Sequence, residues 1–362
     1  MSNKLIEARE IINRVDREMA KLFEERMHAA EMVAEYKMER GLPILDAERE
    51  AEVIRRGGSF VERDEVRGYY ISFLKETMAI SRSYQSRIME GMRVAYCGTE
   101  GAFAHIATGR LFPSAIKVAY STFDAAYQAV MSGECECAVL PVENSYNGEV
   151  GQVTDLMFQG SLYLTGMTEL AVTQDLLALP GTRIEDIREV VSHPQALGQC
   201  AEYIREHGFK ASEYSNTALA AKYVSEQGNP AVAAIASHEA AEIFGLEVLA
   251  RNINSQRSNT TRFAVFSRTE VKRPVREKGV HTVLVFTVRH EAGALAKAIG
   301  VIGKHGFNMQ SLRSRPMKEL LWQYYFYVEA EGNADSDEGR AMIAELSEFC
   351  DKLKVVGTYI KK

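Results

Sequence analysis

Between Lys4 and Met38 the chain has neither proline nor glycine, and apolar residues recur at helical spacing through Leu5, Ile12, Val15, Met19, Leu22, Met27, Ala30 and Val33. Such a run predicts one long helix, because nothing in it interrupts the backbone ladder and its apolar side chains share a stripe. "GLP" at 41–43 ends it. Asp46 is placed to cap a second helix, and a third is expected from about Asp64 to Ile88, so residues 1–90 read as an all-α unit.

After Gly91 the rhythm changes. Short apolar strands alternate with helical stretches: "RVAYCG", "AFAHIATGRLF", "IKVAYS", "FDAAYQAVMSG", "CAVLPVEN", then a helix through "VTDLMFQG". That alternation predicts a parallel sheet. In "STFD", Ser121 and Asp124 read as a capping box. The cycle restarts at "IREVVSHP" and ends in "LEVLARNI" and "TTRFAVFS", which gives two α/β lobes around a cleft over residues 92–268. "RTEVKRPVREKG", 268–279, is charged, lacks apolar periodicity and reads as a linker. Residues 280–362 follow a βαββαβ order, the ferredoxin-like α+β pattern.

A chain of 362 residues has room for two or three such domains. Its net charge of -6 gives no bulk support for an extended nucleic-acid surface, so any anion site must be local. The first residues are charged without the apolar core of a signal peptide, and no apolar run is long enough to cross a bilayer; a cytoplasmic protein is expected. Five scattered cysteines argue against a disulfide framework, and "CEC" at 135–137 lacks a partner at ligand spacing, so no metal is expected.

On the first helix Arg26 and Lys37 are eleven residues apart, close to three turns, on one face and ~16 Å apart along the axis. Two long cations leaning together can bracket a small dianion. Arg9 lies seventeen residues before Arg26, ~25 Å along the same rod, so it could contribute only from another subunit. Asp46, Arg49 and Glu50 fall at i, i+3 and i+4, and Ser81 and Gln85 at i and i+4. The set Arg9, Arg26, Lys37, Asp46, Arg49, Glu50, Ser81 and Gln85 resembles the site of the all-helical chorismate mutases, over nearly all of residues 1–90. The resemblance implies rearrangement of chorismate to prephenate, a pericyclic shift that needs a folded substrate and stabilised ether charge, with no nucleophile and no cofactor. It implies that Arg26 and the partner's Arg9 hold carboxylates, that Lys37 and Gln85 hydrogen-bond the ether oxygen, that Glu50 with Asp46 takes the ring hydroxyl, and that Ser81 and Arg49 support the ring end. Glutamine at 85 implies activity near neutral pH, since a glutamate there would have to be protonated to donate.

In α/β lobes, ligands bind where strands end and helices begin. The candidate turns are "CGTEGAFAH", "ENSYNG", "SHPQA" and "SNTTRF". Together "LPVENSYNGEV", "SHPQALGQC", "AAIAS" and "NTTRF" resemble the prephenate dehydratases, from about Arg93 to Arg268. The resemblance implies that Thr261 contacts the leaving hydroxyl, that Arg262 and neighbouring amides serve the carboxylates, and that Asn144, Ser145, Ser192 and Gln195 complete the cleft. A threonine hydroxyl is too weak an acid to give up a proton alone, which leaves His193 and Glu143 as helpers. Ala102 and Ala104 flank Phe103 where that family carries hydroxyl residues, two hydrogen bonds fewer.

"EAGALAKAIGVIGKHGFNMQSLRSRP" resembles the phenylalanine-binding ACT domain, with its "GAL" turn at 293–295 and "SRP" at 314–316. The resemblance implies that L-phenylalanine binds between paired domains at Gly293, Ala294, Leu295, Asn308, Ser314, Arg315 and Pro316 and inhibits, in a homodimer or larger assembly. Arg313 stands where the family's glutamate is usual. The expected protein is a bifunctional enzyme acting on chorismate and prephenate. Two alternatives stay open: a non-catalytic two-lobed sensor or receptor, as in periplasmic binding proteins, and a dehydratase preferring arogenate. A nicotinamide-dependent dehydrogenase is disfavoured, because "RVAYCGTEGAF" offers only Gly98 and Gly101 of a dinucleotide fingerprint.

Overall fold

The proline-free run at the start of the chain becomes α1 (Asn3–Arg40) in a computed structural model that describes residues 3–255, 259–317 and 323–361. With α2 (Ala47–Gly58) and α3 (Asp64–Glu90) it makes the first of two compact units, Met1–Arg93; the second is Val94–Lys362. The Asp46 carboxylate accepts from the Arg49 amide at 2.9 Å, the expected cap of α2. Gly57 lets α2 lie against α3, where a Cβ would come within 2.4 Å of Leu74. Burial on α1 is confined to its later part, at Ala30 and Ala34; Lys4 to Glu25 are all exposed, including Leu5, Ile12, Val15, Met19 and Leu22.

The second unit opens with β1 (Arg93–Cys97), α4 (Phe103–Leu111), β2 (Ile116–Tyr120), α5 (Phe123–Met131), β3 (Cys137–Asn144), β4 (Gly148–Glu149) and α6 (Gly151–Gln159). The cap of α5 is Thr122, whose hydroxyl accepts from the Ala125 amide at 3.0 Å, not Ser121. Two further strands, β5 (Tyr163–Ala171) and β6 (Asp175–Ala178), were not expected from the sequence; they carry the chain to the second lobe. That lobe comprises β7 (Glu189–Ser192), α7 (Pro194–Gln199), α8 (Ala201–His207), β8 (Lys210–Glu213), α9 (Thr217–Gln227), β9 (Val232–Ala236), α10 (His238–Phe244) and β10 (Glu247–Ala250), with sheet order β10-β6-β9-β7-β8.

The strand of "TTRFAVFS", β11 (Thr260–Ser267), does not belong to that second sheet; Ser258 of "SNTTRF" lies outside the described residues. β11 returns to the first lobe and lies between β3 and β5, antiparallel to both. β1 and β3 are parallel, so the first sheet is mixed rather than parallel. The cause is the crossing: β5 leaves for the second lobe, β11 comes back, and a returning strand is not bound to the direction that βαβ units impose.

The rest is β12 (Val280–Val288), α11 (Ala294–Lys304), β13 (Asn308–Pro316), β14 (Tyr324–Glu331), α12 (Asp337–Ser347) and β15 (Cys350–Ile360), with strands ordered β13-β14-β12-β15. This is the ferredoxin-like arrangement, with Phe286, Ile302, Val328 and Met342 in the core between sheet and helices. The other face of the sheet shares a core with the first lobe, where Val283, Tyr327, Val356 and Tyr359 pack with Tyr127, Leu140 and Phe266. β15 also pairs with β5, parallel, at Gly357 and Leu164, so the two sheets form one ten-stranded sheet among the described residues. Segment 268–279 is therefore not a free spacer. Arg268 donates to the carbonyls of Val130 and Cys135, and Arg273 to that of Thr165 at 2.9 Å.

Cys137 and Cys200 are buried and their thiols are pushed up to about 12 by burial, so they are neutral packing groups. Among the described residues no helix is long and apolar enough to cross a membrane.

Candidate active sites

The three helices of the first unit enclose a cavity of about 160 Å3 lined by Arg26, Lys37, Asp46, Arg49, Glu50, Ser81 and Gln85. Arg9 is not brought there and stays exposed on α1. Lys37 Nζ donates to the Ile44 carbonyl and to Gln85 Oε1 at 3.5 Å. With Oε1 engaged, Gln85 presents its Nε2 as a donor. Arg26 donates to the Ser81 hydroxyl and to the Thr77 carbonyl at 3.4 Å, and burial lowers its pKa from the ordinary arginine value. Glu50 is paired with Arg82, a wall residue that the sequence reading missed. Arg82 is three residues before Gln85 and four after Met78 on α3, so the helical-face rule that selected Ser81 could have found it. Arg49 also pairs with Glu52 at 2.6 Å, at a more exposed edge.

In the second unit a cavity of about 280 Å3 lies between the lobes. Three helix starts reach it: Ala102 and Phe103 at α4, Gln195 and Ala196 at α7, and Asn216 and Thr217 at α9. The loop before α4 turns at Gly101, at φ 81°, and a Cβ there would meet Phe244 at 3.1 Å and Ala218 at 3.3 Å, so glycine allows it to run against the second lobe. Ala102 provides no side-chain cap for α4.

Asn144 organises the cleft floor. Its Oδ1 accepts from the amides of Tyr146 and Asn147, at 3.0 and 2.9 Å, which fixes the amide's orientation. Its Nδ2 then donates to Thr261 Oγ1 at 2.9 Å and to Asn259 Oδ1 at 2.7 Å. By accepting from Asn144, the Thr261 hydroxyl keeps its own proton available to donate. His193 Nδ1 accepts from the Gln195 amide at 3.3 Å, so in the neutral ring Nε2 carries the proton. Asn259 Nδ2, Gln174 Oε1 and Gln199 Oε1 are buried at the wall without a protein hydrogen-bond partner among the described residues. Buried polar atoms are otherwise almost always paired, so three at one cleft mark a site for a polar ligand. Gln174, Gln199, Asn216 and Asn259 were not selected from the sequence, although Asn259 sits inside "NTTRF".

Three expected cleft residues are elsewhere. Ser192 is fully buried and donates to the Ile235 carbonyl at 2.5 Å, tying β7 to β9. Ser145 accepts from the Thr260 amide at 2.9 Å and anchors its turn to β11. Arg262 points away from the cleft, because successive side chains of a strand alternate between faces and Thr261 takes the cleft side. Its guanidinium donates to both Glu329 oxygens, at 2.9 and 2.8 Å, and to Tyr359 Oη at 2.8 Å. Glu143 faces the same way, 3.4 Å from Arg262 and 2.5 Å from Arg313, so it cannot serve as a proton helper in the cleft. Burial works against charge on Arg262, yet its bonds to Glu329 raise its pKa; burial likewise opposes the Glu329 carboxylate, but Arg262 and Tyr359 hold it below the ordinary range.

Of the residues expected to hold phenylalanine, Leu295 lines a cavity of about 380 Å3 with Tyr324, Phe326 and His290. Gly293, at φ 80°, makes the turn into α11 and Ala294 is buried. Asn308, Ser314 and Pro316 are exposed along the edge strand β13. Arg315 is turned toward the first lobe instead, with Nε 2.9 Å from Asp155 and 3.1 Å from Tyr325 Oη.

Fold and sites define a protein with two separate cavities, one in each unit and each lined by polar and charged side chains. The family model of chorismate mutase type II matches residues 8–86, and that of prephenate dehydratase residues 94–271. A bifunctional chorismate mutase/prephenate dehydratase from Enterobacter agglomerans is 31% identical, over 99% of this chain and 96% of its own. Among solved structures, one described as a novel type of quorum-quenching acylase is 32% identical with a TM-score of 0.69, over 75% of this chain and 98% of its own. Prephenate dehydratase from Arthrobacter aurescens, solved with L-Phe, is 27% identical with a TM-score of 0.68, over 75% and 90%. The chain belongs to the bifunctional chorismate mutase/prephenate dehydratases of phenylalanine biosynthesis.

Proposed function

We propose that the two reactions run on the two cavities just described, with the following residue roles. In the helical cavity Arg26 and the partner's Arg9 hold the two carboxylates of chorismate. Lys37 and the Nε2 of Gln85 donate to the ether oxygen as its C–O bond breaks, and Glu50 with Asp46 takes the ring hydroxyl. Ser81 and Arg49 support the ring end. The exposed apolar stripe from Leu5 to Leu22 supports a dimer in which α1 of each subunit carries Arg9 to the other.

In the cleft, prephenate loses its ring carboxylate as carbon dioxide while its ring hydroxyl leaves as water, giving phenylpyruvate. The helix starts at α4, α7 and α9 favour the carboxylates. Thr261 donates to the departing hydroxyl, and the proton that threonine is too weak an acid to yield comes from His193 in its imidazolium form, for which the Gln195 amide contact at Nδ1 gives way. The observation that carries this reading is the Asn144 to Thr261 bond, which orients the threonine proton at the one wall where paired strands meet three helix starts.

The C-terminal domain, 280–362, is proposed to be an ACT domain that binds L-phenylalanine at the turn from Gly293 to Leu295 and along β13 and inhibits dehydration. The L-Phe in the Arthrobacter structure supports it. Arg313, tied to Glu143, and Arg315, tied to Asp155, are not available to that ligand in this arrangement. Steady-state turnover of chorismate, prephenate and arogenate, each with and without phenylalanine, tests the whole. Phenylpyruvate and carbon dioxide from prephenate, suppressed by phenylalanine, are expected. Prephenate binding without carbon dioxide release would leave only a sensor, and faster turnover of arogenate would reassign the substrate.

A further inference from the structure

The two catalytic strands of the cleft present a second face. Register pairs Thr261 with Asn144 and Arg262 with Glu143, so each cleft residue has a charged neighbour pointing the other way. Both charges end on the C-terminal domain: Arg262 on Glu329 of β14 and Tyr359 of β15, and Glu143 on Arg313 of β13. Glu329 is 1% exposed. Its two oxygens take both terminal nitrogens of Arg262, the hydroxyl of Tyr359, and a longer bond of 3.4 Å from Tyr327. A carboxylate buried so deeply is tolerated only in a fully bonded geometry, and bidentate arginine pairing fixes direction as well as distance.

We propose that Glu329 is a positioning residue for the dehydratase reaction, acting across the domain boundary through Arg262 to hold Thr261 in place. This rests on the assignment of dehydration to the cleft. The Arg262 side chain is what ties β11 to the C-terminal domain by hydrogen bonds among the described residues. Thr261 is the residue next to Arg262, and β11 shows a register shift against β3 between Arg262 and Phe263 while its pairing with β5 runs regularly from Thr260 to Val265, so the ladder holds the strand end that carries Thr261 firmly on one side only. The clamp adds a second restraint from behind the strand. On this reading Arg262 serves the reaction from behind the strand, without touching the substrate.

The test is a double-mutant cycle in the full-length protein with Glu329→Gln and Arg262→Gln, measuring phenylpyruvate formation, the KM for prephenate, mutase rate and the unfolding midpoint. Glu329→Gln is expected to lower the dehydratase kcat about tenfold with KM within twofold, inside the ~100-fold that an ångström of misplacement costs. Mutase turnover should be unchanged. The double variant should be no slower than either single, because each change breaks the same clamp. Additive losses, or a KM that rises in proportion to the fall in kcat for Arg262→Gln, would mean that arginine binds substrate and would overturn the proposal. Wild-type kcat in Glu329→Gln would also overturn it. Should Glu329→Gln fail to fold, Tyr359→Phe removes a single hydroxyl from the clamp and should lower kcat by a smaller factor at unchanged KM; an unchanged kcat there counts against the clamp. An unmutated enzyme that makes no phenylpyruvate would sink the cleft assignment itself, a different result.

Discussion

At the scale of single residues the two chemistries separate cleanly. Lys37 is the cation bonded to Gln85 in the helical cavity, and Thr261 is the hydroxyl fixed by Asn144 in the cleft. Lys37→Ala is expected to cut chorismate turnover by ~100- to 1000-fold, the usual effect of removing a preorganised donor, while prephenate turnover stays intact. Thr261→Ala should do the reverse, which coupled assays on both substrates would show; loss of both activities in either variant would contradict separate sites. Gln85 gives a pH test. A carboxylate placed by Gln85→Glu would lie beside Lys37 and be held ionised, unable to donate. Mutase activity should therefore fall at pH 7 and rise as pH drops toward and below the ordinary glutamate value of ~4.3; a flat profile would remove Gln85 from the ether contact. Most of this wall was readable, because helical spacing states which residues share a face. Arg262 was misread for a comparable reason: period-two alternation, applied to "TTRF", already puts Thr261 and Arg262 on opposite faces. Gln174 and Gln199 carried no such signal, since only the closing of two lobes brings them to Asn259.

At the scale of elements, the helices and most strands were legible because their apolar periodicity is local. The placement of β11 was not, since pairing with β3 and β5 depends on contacts about a hundred residues away in sequence. β5 and β6 were missed in a run where small and polar residues, Thr165, Gly166, Thr168 and Gln174, blur the strand pattern. The junction of β15 with β5 was also invisible, and it rests on one glycine. Gly357 has φ 157°, and a Cβ on it would stand 2.0 Å from the Leu164 carbonyl oxygen, a backbone atom that cannot swing aside. Gly357→Ala should therefore pry β15 from β5, lower stability by about 1–3 kcal/mol, and open the arginine- and lysine-rich segment 268–279 to trypsin. An unchanged urea midpoint with undiminished protease resistance would show that the two sheets do not depend on this approach. Because the Glu329 clamp spans the same boundary, the variant's dehydratase rate should fall as well.

At the scale of the whole molecule the open question is why α1 leaves its first turns uncovered. Seven residues of the expected mutase site share one cavity, yet Arg9 stays on the exposed length of the same helix, beside an apolar stripe that is exposed among the described residues. A straight helix cannot bend Arg9 back over ~25 Å, so the role proposed for Arg9 calls for a second copy. In a symmetric dimer each site would combine Lys37 of one subunit with Arg9 of the other. Arg9→Ala and Lys37→Ala homodimers should then both be inactive as mutases. Mixing them after dissociation and reassociation should regenerate one intact site per mixed dimer. Random pairing makes half the dimers mixed, with one good site of two, so recovery should approach about a quarter of the wild-type mutase rate. Dehydratase turnover, which uses neither residue, supplies the measure of protein recovered in each sample. No recovery, with mixed dimers verified by mass, would mean that the site is completed within one chain and that the apolar stripe serves something other than catalysis.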